Sequence, residues 1–246
     1  MCIHLSLSLI ISVCASLSIL GFIVSVSICI ECCWAIAVAG TVGCAYYSDY
    51  KIKKHEVSPK DLLDRTWYYY HDLMKGKERD AAGCFRCGLK KAFRVVRDYG
   101  IAYLENCPFV PSLDEHKGHL KKTDYPRIRI VDFKVHLSVE EVIRILKHEK
   151  KAVVGYLQVT HEFAAYKKGI YSHPPAVTAE GASSRFYLGR HGVVIDGVNE
   201  SEKYFTIKNS YGIKWGIEGC GNVSMDVFVD FGYPVEAYEM PYDPSS

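Results

Sequence analysis

What the first fifth of this sequence lacks is charge. The 246 residues hold 30 Lys and Arg and 28 Asp and Glu, yet only Glu31 falls within the first 48. A strong excess of either sign is missing too: the net charge of +2 gives no field that would draw nucleic acid or an anionic membrane. Trp67-Tyr68-Tyr69-Tyr70 has no basic stripe beside it, so it does not read as a base-stacking platform. No repeat or low-complexity block follows residue 48. With 49% hydrophobic, 13% aromatic and 24% charged residues, the composition excludes an intrinsically disordered chain and a polytopic membrane protein alike. At about 150 residues per domain, the length allows one sizeable core and excludes two large catalytic domains.

What the uncharged part does hold is an apolar run. Leu5 to Ile30 is 26 residues without Asp, Glu, Lys, Arg or His, long enough at about 1.5 Å per residue to cross a hydrocarbon core of about 30 Å. Only His4 precedes it, so the positive n-region of a signal peptide is absent, and the run exceeds a signal's apolar stretch. Serines interrupt it throughout. Three readings stay open: membrane association through residues 5–30, a signal peptide, or a misplaced chain start. Ten cysteines, about 4% of the chain, lean the same way without reaching the density of a disulfide scaffold. So do two glycosylation patterns, Asn199-Glu200-Ser201 and Asn222-Val223-Ser224. The expected location is the secretory pathway, vacuolar, lysosomal or extracellular, with or without a membrane anchor.

Beyond residue 48 helices come first and strands later. Ser58-Pro59 starts a helix, with Ser as N-cap and Pro in the first turn. A second fits Gly88 to Tyr99, with Leu89, Ala92, Phe93 and Val96 at helical spacing and Gly100 as its stop. Ser138 with Glu141 makes a capping box for a third, running to about His148. Strand-like runs follow at Ala152–Val159, His191–Val198, Lys203–Lys208 and Asn222–Phe228. That order predicts an α+β protein with a helical lobe and a mostly antiparallel β lobe, divided near residues 110–130 where Pro108, Pro111, Gly118 and Pro126 cluster. A site is expected between the lobes.

Cys33 is followed by Trp34 and the small apolar run Ala35-Ile36-Ala37-Val38-Ala39, which suits a buried helix. A thiol at such a helix N-terminus meets the positive end of the macrodipole, which favours the nucleophilic thiolate. Alone, a Cys in an apolar stretch is more often a small buried hydrophobe. His191 opens one strand and Asn209 closes the next, so a hairpin would set imidazole beside amide. An amide at one ring nitrogen fixes the tautomer and leaves the other nitrogen for a thiol. Two C-x-x-C pairs, Cys29-x-x-Cys32 and Cys84-x-x-Cys87, suggest zinc, but 51 residues separate them where about 15–20 is usual. No metal and no cofactor is expected.

Several motifs in a fixed order carry more weight than any one. Cys32-Cys33-Trp34-Ala35, then Val57 to Asp64, Gly83-Cys84, Phe163 to Tyr171, His191-Gly192-Val193-Val194, Ile207 to Gly212 and Trp215-Gly216 resemble the papain-like cysteine proteases of papain and cathepsin type. The resemblance implies the papain-like two-lobe fold, with a mainly helical N-terminal lobe and an antiparallel β-barrel-like C-terminal lobe. The implied domains are a leader over 1–30, a catalytic domain over 31–229 with lobes at about 31–110 and 125–229, and a tail over 230–246. It implies a cysteine-type endopeptidase acting on peptide or protein substrates, with Cys33 as nucleophile, His191 as base and acid, and Asn209 orienting His191. Cys87, Gly88, Gly192 and Trp215 take substrate-binding positions, with Trp215 shielding the His–Asn pair.

Departures from the pattern qualify this. The oxyanion Gln of the family falls on Ser27, and losing one such donor costs about 10²–10³ in rate. A glycine pair on which substrate would lie is Arg86-Cys87, and the aromatic after Asn209-Ser210 is Tyr211 rather than Trp. The family bridge to Cys84 would have to use Cys29 or Cys32, because its usual partner position is Ile30. No pro-segment is recognisable, and the first strand is replaced by the apolar run. An alternative follows, an inactive homologue that keeps the fold as a peptide-binding or interaction module. Arg190, directly before His191, is expected to lower the pKa of that histidine.

Overall fold

A computed structural model describes residues 30–51, 56–70, 83–109, 125–172 and 187–241. Ser27 and almost all of the 5–30 run lie outside the described residues. No helix among the described residues is long and apolar enough to cross a membrane.

The run after Cys33 forms one 18-residue helix, α1 (Cys33–Tyr50). Thirteen of its residues are buried, from Trp34, Val38 and Val42 to Ala39 and Ala45, so it is apolar all round as a central core helix must be. Lys51 ends it in the left-handed conformation, donating its N–H to Tyr47 O at 2.7 Å. Helix α2 (Pro59–Tyr69) starts as its sequence requires, with Ser58 Oγ accepting the Asp61 N–H at 3.0 Å. Helix α3 (Leu89–Tyr99) follows Gly88 and stops at Gly100. The capping box forms completely, Ser138 N–H to Glu141 at 2.8 Å and Glu141 N–H to Ser138 Oγ at 3.2 Å. The helix it starts is short, Val139–Arg144, and its continuation Ile145–Glu149 widens into a π-helical turn.

Three of the four expected strands are present: β4 (Val153–Thr160), β6 (Tyr187–Asn199) and β7 (Tyr204–Lys208). The fourth run breaks at a single 3-10 turn, Met225–Val227, into β8 (Cys220–Ser224) and β9 (Phe228–Pro234), which pair with different neighbours. With β3 (Phe133–Val135) and β5 (Ile170–Tyr171) they form a seven-stranded sheet, β3-β9-β4-β6-β7-β8-β5, antiparallel except for the parallel pair β5 and β8. Among the described residues this sheet is open at both ends rather than closed into a barrel. A smaller sheet joins β1 (Ile101–Ala102), β2 (Arg127–Ile130) and β10 (Ala237–Met240), so described residues of the expected tail return to pair with β2. One core gathers Trp34, Leu62 and Phe93 around the three helices, and another gathers Phe163, Phe205 and Tyr233 within the large sheet. The architecture is α+β, as expected.

A buried ionic cluster ties α2 to the small sheet. Asp61, 1% exposed, accepts from Arg65 Nε at 3.0 Å, from the Ala102 N–H at 3.0 Å and from Arg127 Nη2. Lys60 and Asp64, one turn apart and both buried, form a second ion pair. Cys32 and Cys84 are both buried, and the bridge that the resemblance suggested does not join them. Cys44 is disulfide-bonded.

Candidate active site

Three elements meet at Cys33: the N-terminus of α1, the loop 83–88 before α3, and strand β6. Trp34 fastens the first two, its Nε1–H donating to Phe85 O at 2.6 Å with the rings 5.4 Å apart. The third approaches at Gly192, whose backbone N–H donates to Cys33 Sγ at 3.3 Å. That approach needs glycine, because a Cβ there would stand 2.8 Å from the Tyr156 ring and 3.4 Å from the Trp34 Cα. Gly192 directly follows His191, so the thiol and the imidazole hang from adjacent residues of one junction, with no hydrogen bond between Sγ and Nδ1.

His191 is fully buried, and its Nε2 lies 2.7 Å from Asn209 Oδ1. Asn209 Oδ1 also accepts the Ser210 N–H at 2.8 Å, so this oxygen is an acceptor and Nε2 carries the proton. The tautomer leaves Nδ1 as the basic nitrogen, and Nδ1 is buried with no hydrogen-bond partner among the described residues. Burial pushes the His191 pKa down to about 4, partly opposed by the bond to Asn209. The shift has the direction expected from Arg190, but its cause is burial.

Aromatic rings close the back of the pair. Tyr211 stands 4.7 Å from the His191 ring and Phe163 6.0 Å from it. Trp215 lies one ring further out, 5.0 Å from Phe163, with its Nε1–H donating to Phe163 O at 2.7 Å. Tyr211 and Phe163, rather than Trp215, are thus the rings beside the imidazole. Trp215 is locked by the turn after it: Gly216 takes φ 58°, and a Cβ there would lie 2.1 Å from Cys220 O.

In front of the thiol is a cavity of about 500 Å³. Cys33 and Trp34 form one wall, Arg86, Cys87 and Gly88 another, and Tyr156, Gly189 and Arg190 the third, with Glu31 at the edge. Of the expected binding residues, Cys87 and Gly88 line it, Gly192 packs behind Tyr156, and Trp215 lies outside it. Arg86 Nε holds both Glu31 carboxylate oxygens, at 2.9 and 3.0 Å. Tyr156, which sequence reading places in a plain core strand, crosses the cavity to donate its hydroxyl to Cys87 O at 2.9 Å. Strand alternation in β4 is the one signal that could have exposed it, by setting Tyr156 on the face opposite Leu157. Among the described residues no three His, Cys, Asp or Glu gather as metal ligands.

The buried histidine gives a stability prediction. With a folded-state pKa near 4 against an ordinary 6.5, the unfolded state takes up a proton first as pH falls. The stability is complete above about pH 6.5, declines between 6.5 and 4, and is flat for this group below that. Urea titrations of wild type and His191→Gln should differ by about 3 kcal/mol in how much stability is lost across that window. Parallel curves would show that His191 is accessible to protons in the folded protein.

Residues 25–233 match the family model described as papain family cysteine protease. A cysteine proteinase of Theileria parva is 28% identical over 191 residues, covering 76% of this chain and 37% of that protein. Procathepsin L of Felis catus is 26% identical over 208 residues, covering 79% and 54%. The chain thus spans about half, or less, of the length of these curated relatives. Among solved structures, a Carica candamarcensis cysteine protease in complex with E-64 superposes with a TM-score of 0.60 at 17% identity, covering 84% of this chain and 89% of that one.

Proposed function

The chain belongs to the papain family of cysteine proteases, and from that premise we propose that it is a cysteine-type endopeptidase using Cys33, His191 and Asn209. The observation that carries the reading is the junction at Gly192, where a thiol at a helix N-terminus meets the strand holding a histidine oriented by an amide. At neutral pH the buried His191 is uncharged with Nδ1 as its base. It takes the Cys33 proton as sulfur attacks the peptide carbonyl, then returns that proton to the departing amine. Water, deprotonated by the same nitrogen, releases the acyl group and regenerates the thiol. Developing negative charge on the carbonyl oxygen meets the N–H groups in the first turn of α1, where Cys32 supplies no side-chain cap. Ser27 is the proposed second donor.

Substrates are peptides or proteins lying in the cavity between the loop 83–88 and β6. The domains proposed are a leader over 1–30, a catalytic region over 31–229 and a C-terminal segment beyond it. Ten cysteines and two glycosylation patterns support a secretory location.

A second reading, an inactive peptide-binding homologue, is favoured by one observation: the Tyr156 hydroxyl already occupies one lone pair of the Cys87 carbonyl on the substrate wall. An irreversible epoxide or vinyl-sulfone probe separates the two. The peptidase reading expects stoichiometric labelling of Cys33 in folded protein at neutral pH, mapped by mass spectrometry. Labelling only after unfolding would leave the binding module.

A further inference from the structure

We infer that Arg190 selects peptides carrying a carboxylate side chain in the cavity in front of Cys33. The inference rests on the reading of that cavity as a peptide site, and it adds a substrate class. Three charged side chains border the cavity, Glu31, Arg86 and Arg190. Arg86 and Glu31 satisfy each other through two hydrogen bonds, which leaves the pair neutral. Arg190 is exposed and, among the described residues, is the one charged side chain of the rim without an ion-pair partner.

Its placement follows from strand register. Arg190 and Gly192 alternate onto the same face of β6, opposite Gln158 and Tyr156 of β4, while His191 points to the other face. The cation therefore sits on the cavity side, beside a surface built from Trp34 and Tyr156. Room for a ligand exists at two points. A Cβ at Gly88 or at Gly189 would meet no atom within 4 Å, and both residues line the cavity. A chain laid from Gly88 toward Gly189 would thus pass under a guanidinium whose fork matches a carboxylate.

The test uses the full chain with Cys33→Ala, so that bound peptides are not turned over. Fluorescein-labelled alanine-based peptides carry a single Glu, Gln or Lys, stepped through each position, and Kd is read by anisotropy. At the register that meets Arg190, the Glu peptide is expected to bind about fivefold tighter than its Gln counterpart, the upper end for an exposed ion pair. That preference should shrink at about 0.5 M salt. Arg190→Gln should abolish it and Arg190→Glu should shift it to the Lys peptide; an exposed side chain leaves folding intact in both variants. Equal Kd values for Glu and Gln at every position, a preference unmoved by Arg190→Gln, or no peptide binding at all would overturn the inference. Probe labelling of wild-type Cys33 reports separately on the peptidase reading. Labelled Cys33 without charge preference removes only this inference, and charge preference with an unreactive Cys33 removes only that reading.

Discussion

Cys33→Ala is expected to lower kcat/KM on peptide substrates by about 10⁴-fold or more, because Cys33 is the thiol at the start of α1 that is proposed to form the acyl intermediate. Its effect on folding should be small. The Gly192 N–H bond to Sγ is a long sulfur contact at 3.3 Å, worth about 1 kcal/mol or less, and alanine suits the first turn of α1. Asn209→Ala should show the opposite balance. It leaves His191 able to accept a proton but removes the acceptor for a fully buried Nε2–H, at a stability cost of about 1–3 kcal/mol. Activity would fall through a mispositioned ring. Comparing kcat/KM with urea midpoints for the two variants separates nucleophile from positioning residue. If Cys33→Ala kept more than about 1% of wild-type activity, the acyl-enzyme route would be wrong.

The contrast between these residues and Tyr156 shows what a sequence can reveal. Cys33, His191 and Asn209 announce themselves by residue type and by order along the chain. The helix starts at Ser58 and Ser138 are equally plain, because a cap bonds to a backbone N–H three residues away. Tyr156 announces nothing: it reaches Cys87 across 69 residues of chain, and only the pairing of β4 with β6 puts its ring against Gly192. The break between β8 and β9 has the same origin. Asn222 to Phe228 reads as one strand by propensity, yet its two ends serve different neighbours, β7 and β4, and the chain must turn between them. For His191 the direction of the pKa shift was foreseeable and its cause was not. Charge on Arg190 is visible in the sequence, whereas the complete burial of the imidazole is a property of packing by Tyr211 and Phe163.

Asp61→Ala is expected to cost about 3–5 kcal/mol, a large part of the roughly 5–15 kcal/mol that holds a domain together. Asp61 is the shared acceptor for two guanidiniums that are themselves buried, Arg65 at 5% and Arg127 at 8% exposure. Burial pulls the Arg127 guanidinium below its usual range, and Asp61 is first among the groups that oppose this. Remove the carboxylate and both cations stay behind in a site that also holds unsatisfied Arg65 Nη2 and Arg127 Nη1. The Ala102 N–H loses its acceptor as well, loosening α2 from β1. Because the loss comes from stranded charge rather than from a missing attraction, removing the charges together should recover stability. Asp61→Leu combined with Arg127→Met should be less destabilised than Asp61→Leu alone, with a coupling of about 1–3 kcal/mol in the double-mutant cycle. Additive losses would mean that Asp61 acts through its backbone contact at Ala102, and that the guanidinium of Arg127 finds water once its partner is gone.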